Sequence, residues 1–159
     1  MREWLVAGGL LVGPEGLLLV QNRRRNGSLD WSTPGGVIDE GETLLGGLTR
    51  EVLEETGLVV SAWDALAYEV EVEFTDLEMH LRVEAHVAAG WSGSLVVDDP
   101  DGIVIDAGFL PEKQAVARVQ DAPLWVAEPL CTWLGGCLPQ LFRYTVSGND
   151  AGSMEARRR

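Results

Sequence analysis

The chain is predicted to fold as a single α+β domain, with strands of one layered structure packed against two or three helices. Three observations predict this. Apolar residues recur with period two in several short runs, the segment Thr43 to Thr56 switches to a helical period, and no internal repeat or low-complexity linker divides the chain. The 159 residues, 46% apolar and 23% charged, suffice for one core and lie outside the composition of disordered chains. Residues 1–147 are assigned to the domain, and residues 148–159, ending in Arg157-Arg158-Arg159, to a flexible polar tail.

Trp4 to Val12 and Leu17 to Gln21 flank Gly13-Pro14-Glu15-Gly16, which predicts a hairpin. Arg23 to Ser28 is a polar loop. Trp31 to Pro34 leads into a tight turn at Gly35-Gly36, and Val37-Ile38 offers a short strand. Thr43 to Thr56 reads as a helix with Leu45, Leu48 and Val52 on one stripe and Gly57 at its stop. Gly46 and Gly47 inside it each cost about 1 kcal/mol relative to Ala, so a packing reason is expected, such as a strand crossing close by.

Beyond the helix, Val70, Val72 and Phe74 alternate with Glu69, Glu71 and Glu73, and Leu81, Val83, Ala85 and Val87 alternate with polar neighbours, predicting antiparallel strands. Asp98 to Gly102 is a turn, Ile103 to Leu110 a strand, and Pro111 to Val119 a helix start. Pro123 to Leu138 is the last helix; its Trp125, Leu130 and Trp133 either belong to the core or form a homodimer interface.

With 12 Lys+Arg against 25 Asp+Glu, the formal net charge is −13. That balance excludes a broad basic face for long nucleic acid or acidic lipid. No run approaches the roughly 18 apolar residues of a membrane span. Trp4 to Val12 reads as a strand rather than a signal peptide, and Cys131 and Cys137 have no neighbouring His and read as free thiols, so a cytoplasmic setting with no membrane partner is expected.

Six acidic residues and one Arg lie between Gly36 and Leu58, which places −5 of the total charge there. Spacings of three and four bring Glu51, Glu54 and Glu55 to one helix face, with Cβ atoms about 5–6 Å apart. These carboxylates repel one another and sit near the helix C-terminus, where the macrodipole disfavours anions. Either the face is simply solvated, or a cation offsets the repulsion. A cluster without His or Cys suits a hard divalent ion, Mg²⁺ or Mn²⁺. Such an ion would also supply the positive charge that lets an acidic protein hold a phosphate ester.

From Gly36 the chain runs five residues to Glu42 and seven more to Arg50, then Glu51, Val52, Leu53, Glu54, Glu55, Thr56, Gly57 and Leu58. It is similar at every defined position to the signature of the Nudix hydrolases, G-x5-E-x7-R-E-u-x-E-E-x-G-u, where u is apolar. The approach Trp31 to Gly36 and the flanking strands also resemble that family's α/β/α sandwich with a mixed central sheet. The resemblance implies hydrolysis of a nucleoside diphosphate linked to another moiety, with Mg²⁺ or Mn²⁺ as cofactor and a small nucleotide as substrate. Glu51 and Glu55 would be the central metal ligands, and Glu54 a further ligand or the base that deprotonates the attacking water. The carbonyl of Gly35 or Gly36 would complete a metal shell, Arg50 would orient the carboxylates, and Glu42 would hold the loop before the helix.

The family often adds one acid from elsewhere, for which Asp98, Asp99, Asp101 and Glu112 are candidates, although each Asp is equally a turn former. Arg23, Arg24 and Arg25 are candidates for gripping phosphate or base, and Trp31 for stacking on a base; the alternatives are a solvated loop and a packing role. The first Pro after the signature is Pro100, and Phe74 stands where a Tyr would mark the dinucleotide-polyphosphate subgroup. With neither subgroup marker present, a MutT-like hydrolase of a nucleoside triphosphate or modified nucleotide is favoured. An ADP-ribose or nucleotide-sugar pyrophosphatase, or a non-catalytic nucleotide-binding module, is the alternative.

Overall fold

The computed structural model describes residues 1–137, 140–150 and 152–159. In chain order the elements are β1 (Arg2–Leu10), β2 (Val12–Gly13), β3 (Gly16–Arg23), β4 (Leu29–Ser32), β5 (Gly35–Val37), α1 (Leu44–Thr56), β6 (Val59–Phe74) and β7 (Met79–Ser92). They continue with β8 (Val104–Leu110), α2 (Glu112–Arg118), α3 (Leu124–Leu134), β9 (Gln140–Ser147) and β10 (Glu155–Arg158).

Six strands form a mixed sheet in the order β10-β9-β6-β7-β1-β5, in which β1 runs parallel to β7 and β6 parallel to β9. In a second, antiparallel sheet β3 carries β2 and β4 along one edge and β8 along the other. Helices lie against both faces of the mixed sheet, in agreement with the α+β expectation. Leu48 and Val52 of α1 pack with Ala7, Leu11, Leu18 and Val60 in one cluster. Val70, Val72, Phe142 and Tyr144 pack with Ala115 and Leu130 in the other.

Several expectations need correction. Gly35 and Gly36 do not form a tight turn before a strand at Val37 and Ile38; they open β5 itself, paired antiparallel with Gly8 and Ala7 of β1. The run Trp4 to Val12 is not one hairpin arm. β1 is held between β7 and β5, and after Leu11 the chain changes sheets, so only Val12 and Gly13 pair with Leu17 and Gly16. Leu45 of the forecast α1 stripe is 37% exposed, and Leu44 packs on the core instead, giving a stripe at 44, 48 and 52. Among the described residues, no strand crosses at the two helical glycines. A Cβ at Gly46 would lie 2.7 Å from the Thr43 hydroxyl oxygen that caps the helix, and one at Gly47 would lie 2.8 Å from Ile38 Cδ1.

The last helix stops at Leu134, before Gly135 and Gly136, and Leu138 lies outside the described residues. β9 was not anticipated, although Phe142, Tyr144 and Val146 alternate with more exposed neighbours. The supposed flexible tail over 148–159 contains β10, paired antiparallel to β9 from Glu155↔Ser147 to Arg158↔Tyr144. Its backbone finds partners there, Met154 and Ala156 pack on the core, and the Arg158 guanidinium lies 4.8 Å above the Phe142 ring.

Candidate active site

α1 begins at Thr43, whose side chain accepts a hydrogen bond from the Gly46 N–H, and ends at Gly57 in the left-handed conformation with φ 80°, whose N–H donates to the Leu53 carbonyl. Burial of Leu48 and Val52 fixes the rotation of the helix. Glu55 continues that buried face, three residues beyond Val52, so the docking that builds the core also carries a carboxylate inside. Its Oε1 accepts a 2.7 Å hydrogen bond from the Gly35 N–H. Gly35 can hold this place because a Cβ there would collide with the Ala7 carbonyl oxygen across the β1–β5 pair.

Arg50 organises the rest of the cluster. Its Nε and Nη2 donate at 2.8 Å each to the two oxygens of Glu42, and Nη1 donates to Glu51 Oε1 at 3.1 Å and Glu54 Oε2 at 3.2 Å. Glu42 Oε1 also accepts from the Asp39 N–H, which ties down the turn before α1. A Cβ at Gly36 would fall 2.7–2.9 Å from the Glu51 carboxylate atoms, so β5 meets this side chain as closely as a backbone can.

Charge and burial divide the carboxylates. Burial, with Glu51, Asp99 and Glu54 nearby, pushes the Glu55 carboxyl up to about 8, against the lowering effect of the Gly35 hydrogen bond. Burial also raises Glu51, against the opposing pull of Arg50. Glu42 goes the other way, to about 2, because of its hydrogen bonds from Arg50 and the Asp39 N–H. Among the described residues, no three acidic, imidazole or thiol side chains already converge tightly enough to enclose an ion. Arg50 and the Gly35 N–H hold the cluster in their place.

Gly35, Gly36, Arg50, Glu51, Glu54 and Glu55, but not Glu42, line a cleft of about 720 Å³. Tyr68, Val70, Leu81, Val83 and Trp125 form an apolar wall, and Asn22, Arg24, Ser32 and Thr33 a polar one. Asp99 and Asp101 also line the cleft, whereas Asp98 and Glu112 do not. Asp99 closes its turn by accepting from the N–H groups of Asp101, Ile103 and Val104.

The arginine triplet is not a single patch. Arg24 lines the cleft with its guanidinium bound to both oxygens of Asp30, at 2.6 and 2.8 Å, while exposed Arg23 and Arg25 lie outside the lining. Trp31 is likewise absent from the cleft wall. Strand alternation puts Asp30 and Ser32 on one face of β4 and Trp31 on the other, where it packs on the core with Arg118 5.3 Å from its ring centroid.

Trp125, meeting Phe74 edge to face at 5.3 Å, supplies the cleft's indole instead. Leu130 of the same helix is buried and Trp133 packs beside it, so this helix belongs to the core. Of the polar wall only Arg24 was among the residues expected from the sequence; Asn22, Ser32 and Thr33 were missed. The signal for Asn22 is that it follows four apolar β3 residues without a break in burial other than Gln21.

An α+β sandwich in which one helix carries a carboxylate cluster to a Gly-Gly edge strand, beside a nucleotide-sized cleft, defines a class of phosphate-handling enzyme folds. The chain belongs to the NUDIX domain family, whose profile matches residues 3–130. It is 33% identical over 82 residues to the oxidized purine nucleoside triphosphate hydrolase of Mus musculus, covering 49% of this chain and 52% of that protein. It is 39% identical over 75 residues to the RNA pyrophosphohydrolase of Sphingopyxis alaskensis, covering 47% and 48%. The matched stretches thus span about half the length of these relatives. The fold is also that of a MutT protein from Bacillus halodurans, with a TM-score of 0.69 at 19% identity over 98% of this chain and 97% of that one. No helix among the described residues is long and apolar enough to cross a membrane.

Proposed function

We propose that this protein is a divalent-cation-dependent pyrophosphohydrolase of the MutT-like kind, cleaving a diphosphate bond in a nucleoside triphosphate or modified nucleotide. The observation that carries this is the cleft itself, which joins the carboxylates of α1 to an apolar wall wide enough for a base. The relatives named for nucleoside triphosphate and RNA pyrophosphate hydrolysis support the same substrate class. The partly buried thiol of Cys131 and the exposed one of Cys137, both free, agree with a cytoplasmic, reducing setting.

Glu51, Glu54 and Glu55, with the carbonyl of Gly35 or Gly36, would hold Mg²⁺ or Mn²⁺. The donor set fits: it is all oxygen, and Gly36 leaves open the space beside Glu51 that a side chain would fill. When bound, such an ion supplies positive charge to the diphosphate and lowers the pKa of a coordinated water. Glu54, the more exposed of the three, has one oxygen on Arg50 and the other available to take a proton from the attacking water. Arg50 keeps Glu51 and Glu54 aimed at the cleft, and Glu42 keeps Arg50 in place.

The test is a panel of nucleoside triphosphates, dinucleotides, ADP-ribose and nucleotide sugars, incubated with Mg²⁺ and read by mass to identify the cleaved bond. Wild type should hydrolyse at least one triphosphate, and Glu54→Gln and Glu55→Gln should each lose about 100-fold or more in kcat. A wild type as inert as both variants across the panel overturns the proposal.

A further inference from the structure

Asn22, Arg24 and Ser32 of the cleft wall, none of them part of the carboxylate cluster, form one hydrogen-bond network with Asp30. The Asn22 Nδ2 amine donates to Asp30 Oδ1 at 3.0 Å and to Ser32 Oγ at 2.9 Å. Arg24 donates to both oxygens of Asp30, and the Ser32 hydroxyl donates to the Thr33 carbonyl at 3.1 Å. Both amide hydrogens of Asn22 are therefore spent. A flipped amide would set its oxygen against the Asp30 carboxylate, acceptor against acceptor, so the orientation is fixed.

The remaining polar atom of this side chain is Oδ1. Among the described residues no group donates to it, yet the one fully buried side-chain polar atom without a partner is His86 Nδ1. Asn22 is only 5% exposed and lines the cleft. Its Oδ1 thus opens on the cleft space. The β3–β8 register shifts between Gln21 and Asn22, where Ile105 of β8 is the extra residue.

We infer that Asn22 is a specificity-determining residue whose Oδ1 accepts a hydrogen bond from the nucleoside part of the substrate, from an amino or ring N–H of the base or from a sugar hydroxyl. Asp30, Arg24 and Ser32 are positioning residues that hold the acceptor in this orientation. The inference rests on the nucleotide reading above and names which part of the ligand the polar wall recognises. A buried acceptor left unpaired is costly, so a site built around one rejects an analogue that lacks the donor more strongly than an apolar pocket rejects a missing methylene.

The experiment compares kcat/KM for matched triphosphates: dGTP against dITP, dATP against the purine analogue lacking the 6-amino group, and each deoxynucleotide against its 2′,3′-dideoxy and ribo forms. Wild type should prefer the donor-bearing member of at least one pair by about tenfold or more. Asn22→Leu should bring that ratio to within about twofold, and Arg24→Met, which leaves Asn22 in place, should reduce it partially. Loss of a base pair's ratio assigns the donor to the base, and loss of a sugar pair's ratio assigns it to the sugar. Ratios unchanged in a folded Asn22→Leu protein overturn the inference. If wild type turns over none of these nucleotides, the hydrolase proposal fails separately. Binding of the corresponding monophosphates, which needs no turnover, then decides for or against Asn22 by the same ratios.

Discussion

Gly36 and Glu51 stand so close that a β-carbon at position 36 would reach within 2.7 Å of the Glu51 Cδ atom. β5 and α1, which carry them, are separated in sequence but are pressed together by the burial of Glu55 against Gly35. Gly36→Ala should therefore push Glu51 out of line while leaving the core intact. The expected result is a fall in kcat/KM of about 10–100-fold and a weaker response to Mg²⁺, with a small change in melting temperature. Unchanged kinetics in the Ala variant would show that Glu51 needs no fixed place.

Arg50 is a fork rather than a point charge. It meets Glu42 with two parallel donors and reaches Glu51 and Glu54 with a third nitrogen. Arg50→Lys keeps the charge but cannot make the paired bonds, so it should lose nearly as much activity as Arg50→Met. Full activity in the Lys variant would mean that charge alone suffices. The partners are partly exposed, so the stability loss should stay near 1 kcal/mol.

Stability of the metal-free protein should carry the mark of Glu55. Its folded carboxyl titrates near 8 against an ordinary 4.5, so the folded state binds the extra proton between those values. Stability from this group is present below pH 4.5 and is lost as pH rises toward 8. Glu42 has the opposite sign: its contribution is present above 4.5 and fades as pH falls toward 2. Thermal melts in EDTA between pH 5 and 8 should fall with pH in wild type and stay flatter in Glu55→Gln, and Mg²⁺ should counter the fall. Equal slopes in the two proteins would contradict the burial of that carboxyl.

The helix cap and its neighbouring glycine form a coupled pair. Thr43→Ala removes the acceptor for the Gly46 N–H and should cost about 1 kcal/mol. Gly46→Ala gains helix propensity of about 1 kcal/mol but meets the Thr43 hydroxyl in wild type. Gly46→Ala should thus be more favourable in a Thr43→Ala background than in wild type. A denaturant-unfolding double-mutant cycle measures this, and additive effects would remove the steric explanation.

The acid spacing and the limits of α1 were legible because each is a local pattern: a cap, a stop, or a three-four repeat. What escaped detection depended on partners far away in sequence. The break at Leu11 exists because β1 is claimed by β7 across a long separation, a choice the run Trp4 to Val12 does not encode. Trp31 and Trp125 illustrate the same point in the cleft. Either indole is apt for a base, and only strand alternation in β4 and the docking of α3 on Phe74 decide which one faces the cleft.

β10 offers the sharpest test of a feature that composition concealed. The segment is polar and rich in Arg, yet its backbone pairs with β9, and its removal would leave β9 as an exposed edge carrying Phe142, Tyr144 and Val146. Ending the chain at Ser147 should therefore lower stability by about 1–3 kcal/mol and raise the tendency to aggregate. Activity per folded molecule should hold. β10 and β5 are the opposite edges of the mixed sheet, and Gly35 and Gly36 belong to β5. Urea unfolding and kcat on the same truncated protein separate the two effects: unchanged stability would return this segment to the status of a tail, and a lost kcat in the folded fraction would mean that the far edge reaches the cleft.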